Sequence, residues 1–382
     1  MEITTGPPRR SAATVWVRAV VVLAFLFLFL VGVKALESGI KAFGAGTAER
    51  LFDLVSSPIA ALSAGILATV LVQSSSVSTA TIVGMVGSGA LTLGAAVPMI
   101  MGANIGTTVT NTLASLGHIR RGQEFRRAFA AATIHDFFNI ATVAILLPLE
   151  LWTGFLSSSA AFLTDVFSDR ELGGVSAPSS SPIKSAIDVP VRWVTGFVES
   201  LTTSPAIRGF VLLAFGLALI FLALASITRN MRMLMAGRIE ASLNAILSRG
   251  VGLGAMVVGM LITVSVQSSS ITTSVLIPLV AAGILTLENA YPVTLGANVG
   301  TTITALLASL AADRREALTI ALTHTLFNLC GIALLYPVPK IRQIPLILAR
   351  RLAETAQQHK QIVLVYVLAA FVVLPLIGIF VF

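Results

Sequence analysis

The chain has 382 residues, of which 56% are hydrophobic and 11% are charged, and its mean hydropathy is +0.93. A soluble domain carries about 25% charged residues, so this composition excludes an ordinary soluble protein and indicates a polytopic membrane protein. The net charge of +8 comes from Lys and Arg that cluster between apolar runs, which indicates membrane topology and not nucleic-acid binding. The single cysteine, Cys330, excludes a disulfide framework or thiolate metal site within the chain.

The first apolar run, 15–33, follows Arg9 and Arg10 and is long enough to be a retained helix and not a signal peptide. Ten further apolar runs lie at 59–72, 77–87, 95–116, 128–149, 210–227, 250–266, 271–283, 291–310, 317–336 and 362–382. Between 150 and 205 the sequence is rich in Ser, Gly and Pro, which predicts a solvated connection. These features divide the chain into a first repeat (1–150), an extracellular connecting loop (151–206), a second repeat (207–337) and a cytoplasmic segment with a final membrane helix (338–382).

The two halves repeat at a spacing of 194 residues. This shift places the Gln-Ser-Ser-Ser segment at 73–76 on 267–270, and the Gly-Ala-Asn-Ile-Gly-Thr-Thr segment at 102–108 on the closely similar 296–302. From 73 to 116, 23 of 44 positions are identical, whereas this composition alone gives about one in ten. After a five-residue deletion, His135 and Asn139 align with His324 and Asn328. The duplication is therefore real.

In each half, two short apolar runs flank the Gln-Ser-Ser-Ser segment, and neither is long enough to cross a bilayer core that takes about 20 residues. We therefore predict a re-entrant hairpin in each half, with its tip at the centre of the protein. The second motif lies within the next full-length span. There Gly102, Gly106 and the Thr pair, with their counterparts in the second half, predict a discontinuous helix in both repeats.

Each repeat then makes three crossings, and this odd number inverts the second repeat relative to the first. With a cytoplasmic N-terminus, 16 of the 25 Lys and Arg residues fall in cytoplasmic segments, in agreement with the positive-inside rule. We expect an all-α protein of the plasma membrane with two inverted repeats and an extracellular C-terminus.

Inverted repeats with interrupted helices at matching positions indicate a secondary transporter with its site near the bilayer midplane. A hairpin tip that starts a helix presents free N–H groups and a positive dipole end, which suit a tetrahedral oxyanion without a buried Lys or Arg. Hydroxyl, amide and carbonyl oxygens of the same motifs suit a small cation. An anion and a cation together imply symport.

Single polar residues in membrane helices have simpler explanations. A Ser-Ser-Ser segment often serves packing or bonds back to its helix, but its duplication together with Gln favours a functional role. His135 and His324 are more readily interpreted as structural groups than as proton relays. Asp136 is different, because burying an acidic side chain in an apolar membrane span costs free energy, and such a residue therefore indicates a functional site. Its counterpart is Thr325. The structural alternative is an ion pair of Asp136 with Arg126 or Arg127.

These motifs resemble those of the type II sodium-dependent phosphate cotransporters. The resemblance covers both Gln-Ser-Ser-Ser segments and the stretches 98–107, 124–130, 133–139, 290–298 and 335–339, which make up most of the membrane portion. It implies sodium-coupled uptake of inorganic phosphate, with sodium as the coupling ion, no other cofactor and no enzymatic activity. Phosphate would bind between the hairpins, at Gln73, Ser74, Ser75, Ser76, Gln267, Ser268, Ser269 and Ser270.

For sodium, the resemblance implies a site made by Gln267, Ser268, Thr301 and Thr304, and it assigns Asp136 to the charge-carrying form of these transporters. The candidate sodium ligands also include polar residues of the broken spans and the helix after the first one, namely Asn104, Thr107, Asn298 and Asn139. The chain departs from the family in a connecting loop without Cys or Asn and in the sequence 118–122, which lacks the Gly-Asp-Arg often found there.

Other functions remain open from the sequence. A carrier of sulfate or arsenate uses the same donor chemistry, and an anion channel uses the same fold elements. An intramembrane serine hydrolase would need a nucleophile with a base in reach, for which only Ser75 and His135 present themselves, without a Gly-x-Ser-x-Gly turn.

Overall fold

The computed structural model describes residues 12–43, 55, 57–169, 182–249 and 252–382. Regular structure within these ranges is helical throughout, which confirms the prediction of an all-α polytopic membrane protein. Arg9 and Arg10 and the serine-rich segment 176–181 lie outside the described residues. Six helical stretches in this part of the chain are long and apolar enough to cross a membrane: Val15–Ala42, Leu93–His118, Gly122–Thr153, Pro205–Met235, Arg315–Leu335 and Gln361–Val381.

The first unit contains six helices, of which the second and third form a hairpin. They are α1 (Ala12–Ala42), α2 (Pro58–Val72), α3 (Ser75–Ser88), α4 (Leu93–Gly106), α5 (Val109–Ser115) and α6 (Gly122–Thr153). Helix α2 starts sharply, because Ser57 accepts a hydrogen bond from the Ala60 N–H at 3.0 Å and Pro58 occupies the first helical position. The arms α2 and α3 have 15 and 14 residues, so each is too short to span the bilayer alone.

The second unit has the same order of elements. Its helices are α9 (Pro205–Arg249), α10 (Leu253–Val266), α11 (Ser269–Ala281), α12 (Leu287–Ser309) and α13 (Arg315–Leu335). Helices α10 and α11 form the second hairpin, with 14 and 13 residues. The residues that cap α4 and α12 also repeat, since Thr92 and Thr286 each accept from the N–H three residues ahead. The predicted hairpin is therefore present in both units.

The predicted break exists in the first unit but not in the second. Helix α4 ends at Gly106 and α5 begins at Val109, whereas α12 continues for 23 residues without interruption. The prediction of a broken helix in the second repeat is therefore wrong.

Asn139 explains the difference between the units. Its side-chain amide donates to the Asn104 carbonyl at 2.9 Å, and the Thr108 N–H bonds to Ile105 O at 3.3 Å instead. Asn328, the counterpart of Asn139, donates to His324 O at 3.0 Å and leaves helix α12 intact.

The motif glycines serve close packing and not unwinding. A Cβ atom on Gly102 would lie 1.9 Å from Leu62 O, and one on Gly296 would lie 1.8 Å from Met256 O. Only glycine lets the backbones of α4 and α12 approach the hairpin arms α2 and α10 this closely.

The described part of the connection between the units is mostly helical, where the sequence predicted a solvated loop. Helix α7 spans Phe155–Asp169 and α8 spans Pro182–Leu201. The carboxylate of Glu150 accepts from the Leu156 N–H at 2.6 Å and so caps the start of α7. Thr164 and Thr319 share a hydrogen bond of 3.0 Å, which joins α7 to α13. The Ser- and Gly-rich composition gave no indication of α7, because this helix is stabilised by the packing of its apolar residues on α13.

After the second unit, helix α14 (Pro339–Gln358) packs on α6. The final span consists of α15 (Gln361–Leu368), a π-helical turn (Ala369–Val373) and α16 (Leu374–Val381). This last helix is outside both units, and α16 packs against the first hairpin arm, α2.

Candidate functional site

Each hairpin turns on a glutamine in the left-handed conformation followed by an extended serine. Gln73 has φ 55° and Ser74 has φ −151°, while Gln267 has φ 57° and Ser268 has φ −156°. The two tips therefore share one backbone geometry, which ends one helix and starts the next within two residues. A left-handed residue other than glycine costs about 1–2 kcal/mol, so both units maintain this turn against strain.

The predicted anion-binding serines stand at the start of α3 and α11. Ser75 and Ser269 are the first helical residues and are buried, and Ser76 and Ser270 follow them. Ser74 caps its helix by accepting from the Val77 N–H at 3.3 Å. The N–H groups at a helix start have no partner within the helix, and together with the helix dipole they favour a bound anion.

The glutamine side chains at the tips are fixed in the same way in both units. The Gln73 amide donates to Val70 O at 2.6 Å and accepts from the Thr110 hydroxyl at 3.1 Å. In the second unit, Gln267 donates to Val264 O at 2.6 Å and accepts from Thr304 at 2.9 Å. Each amide thus keeps one of its two N–H donors for a ligand. Thr110 did not enter the sequence predictions, although its alignment with Thr304 at the 194-residue spacing was the signal for it.

The two tips meet at Ser76. Its hydroxyl donates to Gln267 O at 3.3 Å and lies 3.5 Å from the Thr304 hydroxyl. Thr301 is one turn before Thr304 on α12, so the predicted sodium ligands Gln267, Thr301 and Thr304 lie on adjoining elements. The structure therefore brings the two predicted hairpin motifs into contact, although Gln73 at the first tip is exposed.

A further contact between the units involves Asn111, which the sequence reasoning missed. Its side-chain oxygen accepts from Thr273 at 2.9 Å and lies 3.4 Å from the Ser274 hydroxyl, both on α11. The counterpart of Asn111 is Ala305, so the repeat gave no signal for it.

A fully buried polar network joins helices α4, α6, α12 and α13. The Asn298 amide donates to the Asn139 side-chain oxygen at 2.8 Å, and Asn139 in turn donates to the Asn104 carbonyl. His324 Nε2 is 3.4 Å from the Asn104 side-chain oxygen, and the Asn328 amide is 3.5 Å from it. All five side chains are at most 3% exposed. The network joins both units and includes three of the predicted sodium ligands, Asn104, Asn139 and Asn298.

Asp136 is fully buried and accepts a hydrogen bond of 2.5 Å from the Tyr366 hydroxyl to its Oδ2. Its Oδ1 and both ring nitrogens of His135 make no hydrogen bond of good geometry with the described residues, although Thr108 is close enough to interact with Asp136, and Asn298 with His135. Arg126 pairs with Glu354 at 3.5 Å, so the ion pair considered for Asp136 does not involve Arg126. The sequence did not predict a role for Tyr366, because this residue lies on the final span, which has no counterpart in the repeat.

Charged side chains form a cluster near the C-terminal end of α1. Lys41 lies 2.7 Å from Glu37 and 2.8 Å from Asp313, and Lys34 also pairs with Asp313. Partial burial opposes ionisation of Asp313, but hydrogen bonds from Lys34 and Lys41 outweigh it and hold the pKa of this carboxyl well below its usual range. The cluster fixes α1 to the turn between α12 and α13.

A helical membrane protein with two hairpin tips that meet around a buried polar centre is built as a transport protein. The comparison with protein families then gives the particular one: the Na+/Pi-cotransporter model matches residues 28–161 and 219–349, and the chain belongs to this family. The two matched segments cover most of the two units, and each extends a short way beyond its unit, into α7 and α14. The family is one of transporters and not of enzymes, which sets aside the hydrolase alternative.

Several curated proteins are similar to the chain over nearly its whole length. Sodium-dependent phosphate transport protein 2A of Ovis aries is 35% identical over 96% of this chain and 68% of its own, and that of Rattus norvegicus is 35% identical over 92% and 66%. Sodium-dependent phosphate transport protein 2B of Homo sapiens is 32% identical over 94% and 64%. The chain thus spans about two thirds of the length of these relatives. No solved structure matches it.

Proposed function

We propose that the chain carries inorganic phosphate into the cell together with sodium, and that both bind where the two hairpin tips meet. The observation that carries this proposal is the contact of Ser76 with Gln267, because it joins the first turn of α3 to the turn residue of the second hairpin tip. Membership of the Na+/Pi-cotransporter family supports the identity of both solutes.

Phosphate binds between the start of α3 and the start of α11. The hydroxyls of 74–76 and 268–270, the free backbone N–H groups and the remaining amide donor of each glutamine surround it. This donor set contains no Lys or Arg. It suits an anion that must be released again, because hydrogen bonds and helix dipoles attract an anion without an opposite full charge.

One sodium ion binds beside the second tip. The backbone oxygen of Gln267, which accepts from Ser76 here, is a ligand together with Ser268, Thr301 and Thr304. The Thr301 hydroxyl donates to Ala297 O at 3.1 Å, which leaves its oxygen lone pairs available to a cation. Thr304 fixes the side chain of Gln267 at the same place.

A second group of ion ligands lies in the first unit. Thr107 donates to Ala103 O at 2.8 Å and also keeps its oxygen free. Asn104, Asn139 and Asn298 supply amide oxygens, and Asp136 supplies the only carboxylate on α6 between Phe125 and Leu149. A carboxylate at this position compensates the charge of an additional sodium ion.

The ion count decides the response to voltage. Moving one charge across the membrane is worth about 2.3 kcal/mol per 100 mV, so two sodium ions only neutralise divalent phosphate. A third ion, compensated by Asp136, makes transport electrogenic and lets a negative interior drive uptake.

Transport proceeds by alternating access in the plasma membrane, with the N-terminus in the cytoplasm and the C-terminus outside. The repeated hairpins support this mechanism, because inverted repeats can exchange conformations about a fixed central site.

The decisive experiment is uptake of radiolabelled phosphate into proteoliposomes that contain the purified chain. We expect concentrative uptake that requires a sodium gradient and is lost when potassium replaces sodium. Equilibration of phosphate without concentration would indicate a channel. Stronger competition by sulfate or arsenate than by unlabelled phosphate would assign a different oxyanion to the site.

A further inference from the structure

The final span, which lies beyond both segments matched by the family model, supplies a direct partner to the buried acid of the first unit. The Tyr366 hydroxyl donates to Asp136 Oδ2 at 2.5 Å. The other oxygen, Oδ1, is buried and makes no hydrogen bond of good geometry with the described residues, although Thr108 is close enough to interact with this carboxyl group. Tyr366 is therefore the group that fixes the position of the acid.

The ring of Tyr366 is itself fixed. It packs edge-on against Phe129 on α6, with centroids 6.3 Å apart, and edge-on against Phe371, with centroids 5.9 Å apart. Phe371 lies on the π-helical turn that follows Tyr366 and is 1% exposed. π-Helical turns are rare and frequently occur at functional sites. The two rings on either side leave the hydroxyl little freedom to turn away from Asp136.

The hydrogen bond fixes the orientation of the acid. The last torsion of an aspartate is broad and otherwise poorly defined, so a donor held in one position selects one orientation of the carboxyl group. This orientation prepares the acid to receive a cation, in the manner in which neighbouring groups orient metal ligands elsewhere.

We propose that Tyr366 is a positioning residue for sodium coupling: its hydroxyl holds the Asp136 carboxyl group in the orientation in which it binds the ion. The inference rests on the ion role proposed above for Asp136. It makes the final span part of the coupling machinery, although this span is not part of either repeat.

The test compares Tyr366→Phe, Asp136→Gly and the double variant in proteoliposomes. The chain contains only three tyrosines, and the hydroxyl of Tyr336 has no partner among the described residues, so Tyr336→Phe is the matched control. We expect Tyr366→Phe to raise the sodium concentration for half-maximal uptake about tenfold, as for a lost hydrogen bond to a charged group. The phosphate concentration for half-maximal uptake at saturating sodium stays unchanged, and the control behaves as wild type.

Equilibrium binding provides a readout independent of transport. Sodium stabilises the folded protein in detergent by mass action, and the sodium concentration that raises the melting temperature should shift in Tyr366→Phe by the same factor. In the Asp136→Gly background, Tyr366→Phe should have no further effect on either measurement.

The outcomes separate the two proposals. If Asp136→Gly leaves the sodium dependence and the charge moved per phosphate as in wild type, the ion role of Asp136 fails and this inference fails with it. If Asp136→Gly changes them but Tyr366→Phe does not, only the positioning role is overturned. Equal effects of Tyr366→Phe in the presence and absence of Asp136 would also overturn it.

Discussion

The hydroxyl of Ser76, in the first unit, lies 3.3 Å from the backbone oxygen of Gln267, in the second. This hydrogen bond is longer than the usual O–H···O distance of about 2.7–2.8 Å, and it joins the first helical turn of α3 to the left-handed residue of the second tip. Neither hairpin can move without changing the surroundings of the other. The residues proposed to bind phosphate and sodium are therefore next to one another, which is the arrangement that coupling requires.

The tip serines should contribute alike to phosphate binding. Loss of a hydrogen bond to a charged group costs about 1.5–3 kcal/mol, so Ser75→Ala and Ser269→Ala should each raise the half-saturating phosphate concentration at least about tenfold. Ser88→Ala, at the far end of α3, is the control and should leave it unchanged. An unchanged value for either tip variant would make that serine structural.

Thr304 and Thr110 occupy equivalent places but should differ in sodium dependence. Thr304→Val removes a proposed ion ligand and the hydrogen bond to Gln267, and should raise the half-saturating sodium concentration up to about tenfold. Thr110→Val removes only the equivalent bond to Gln73 and should change it less. The measurement is phosphate uptake over a sodium series, and equal shifts would contradict the placement of sodium beside the second tip.

Asp136 should determine the charge moved per cycle. Asp136→Gly should still transport phosphate, but the phosphate-induced current should fall to zero with one fewer sodium ion per phosphate. Simultaneous recording of current and isotope uptake gives this ratio. A variant that keeps the full current would remove Asp136 from the coupling mechanism.

The glycines of α4 and α12 should be required for folding. Gly102→Ala and Gly296→Ala bring a methyl group within 2 Å of a backbone oxygen, and such overpacking costs about 1–3 kcal/mol or more. Gly94→Ala, where nothing lies within 4 Å of the added atom, is the matched control. Melting temperatures in detergent should fall for the first two variants only.

Labelling of introduced cysteines tests the topology. In a Cys330→Ser background, a cysteine at Ser180 should react with an impermeant maleimide on intact cells, and one at Gly122 should not. The opposite pattern would invert the orientation, and reaction at both positions would mean an even number of crossings per repeat.

The sequence predicted the hairpins because duplication repeats both the apolar lengths and the Gln-Ser-Ser-Ser tips. The prediction of a helix break around Asn298 was wrong for a physical reason. The motif breaks a helix only where another side chain donates a hydrogen bond to a backbone carbonyl of the motif, as Asn139 does in the first unit. Tyr366 and Asn111 could not be predicted, because their partners are distant in the chain and neither belongs to a repeated pattern. Helix α7 was hidden by its composition, since its stability comes from packing on α13.

The glycines between α1 and α9 assign these helices a mechanical role. A Cβ atom on Gly39 would lie 2.5 Å from Leu213 N, and one on Gly216 would lie 2.5 Å from Leu36 N, so the two backbones are in direct contact. A slide by one residue, about 1.5 Å, would bring side chains against backbone atoms. The leading helices of the two units are therefore packed backbone to backbone, and we expect them to move together in any motion that opens the centre to either side.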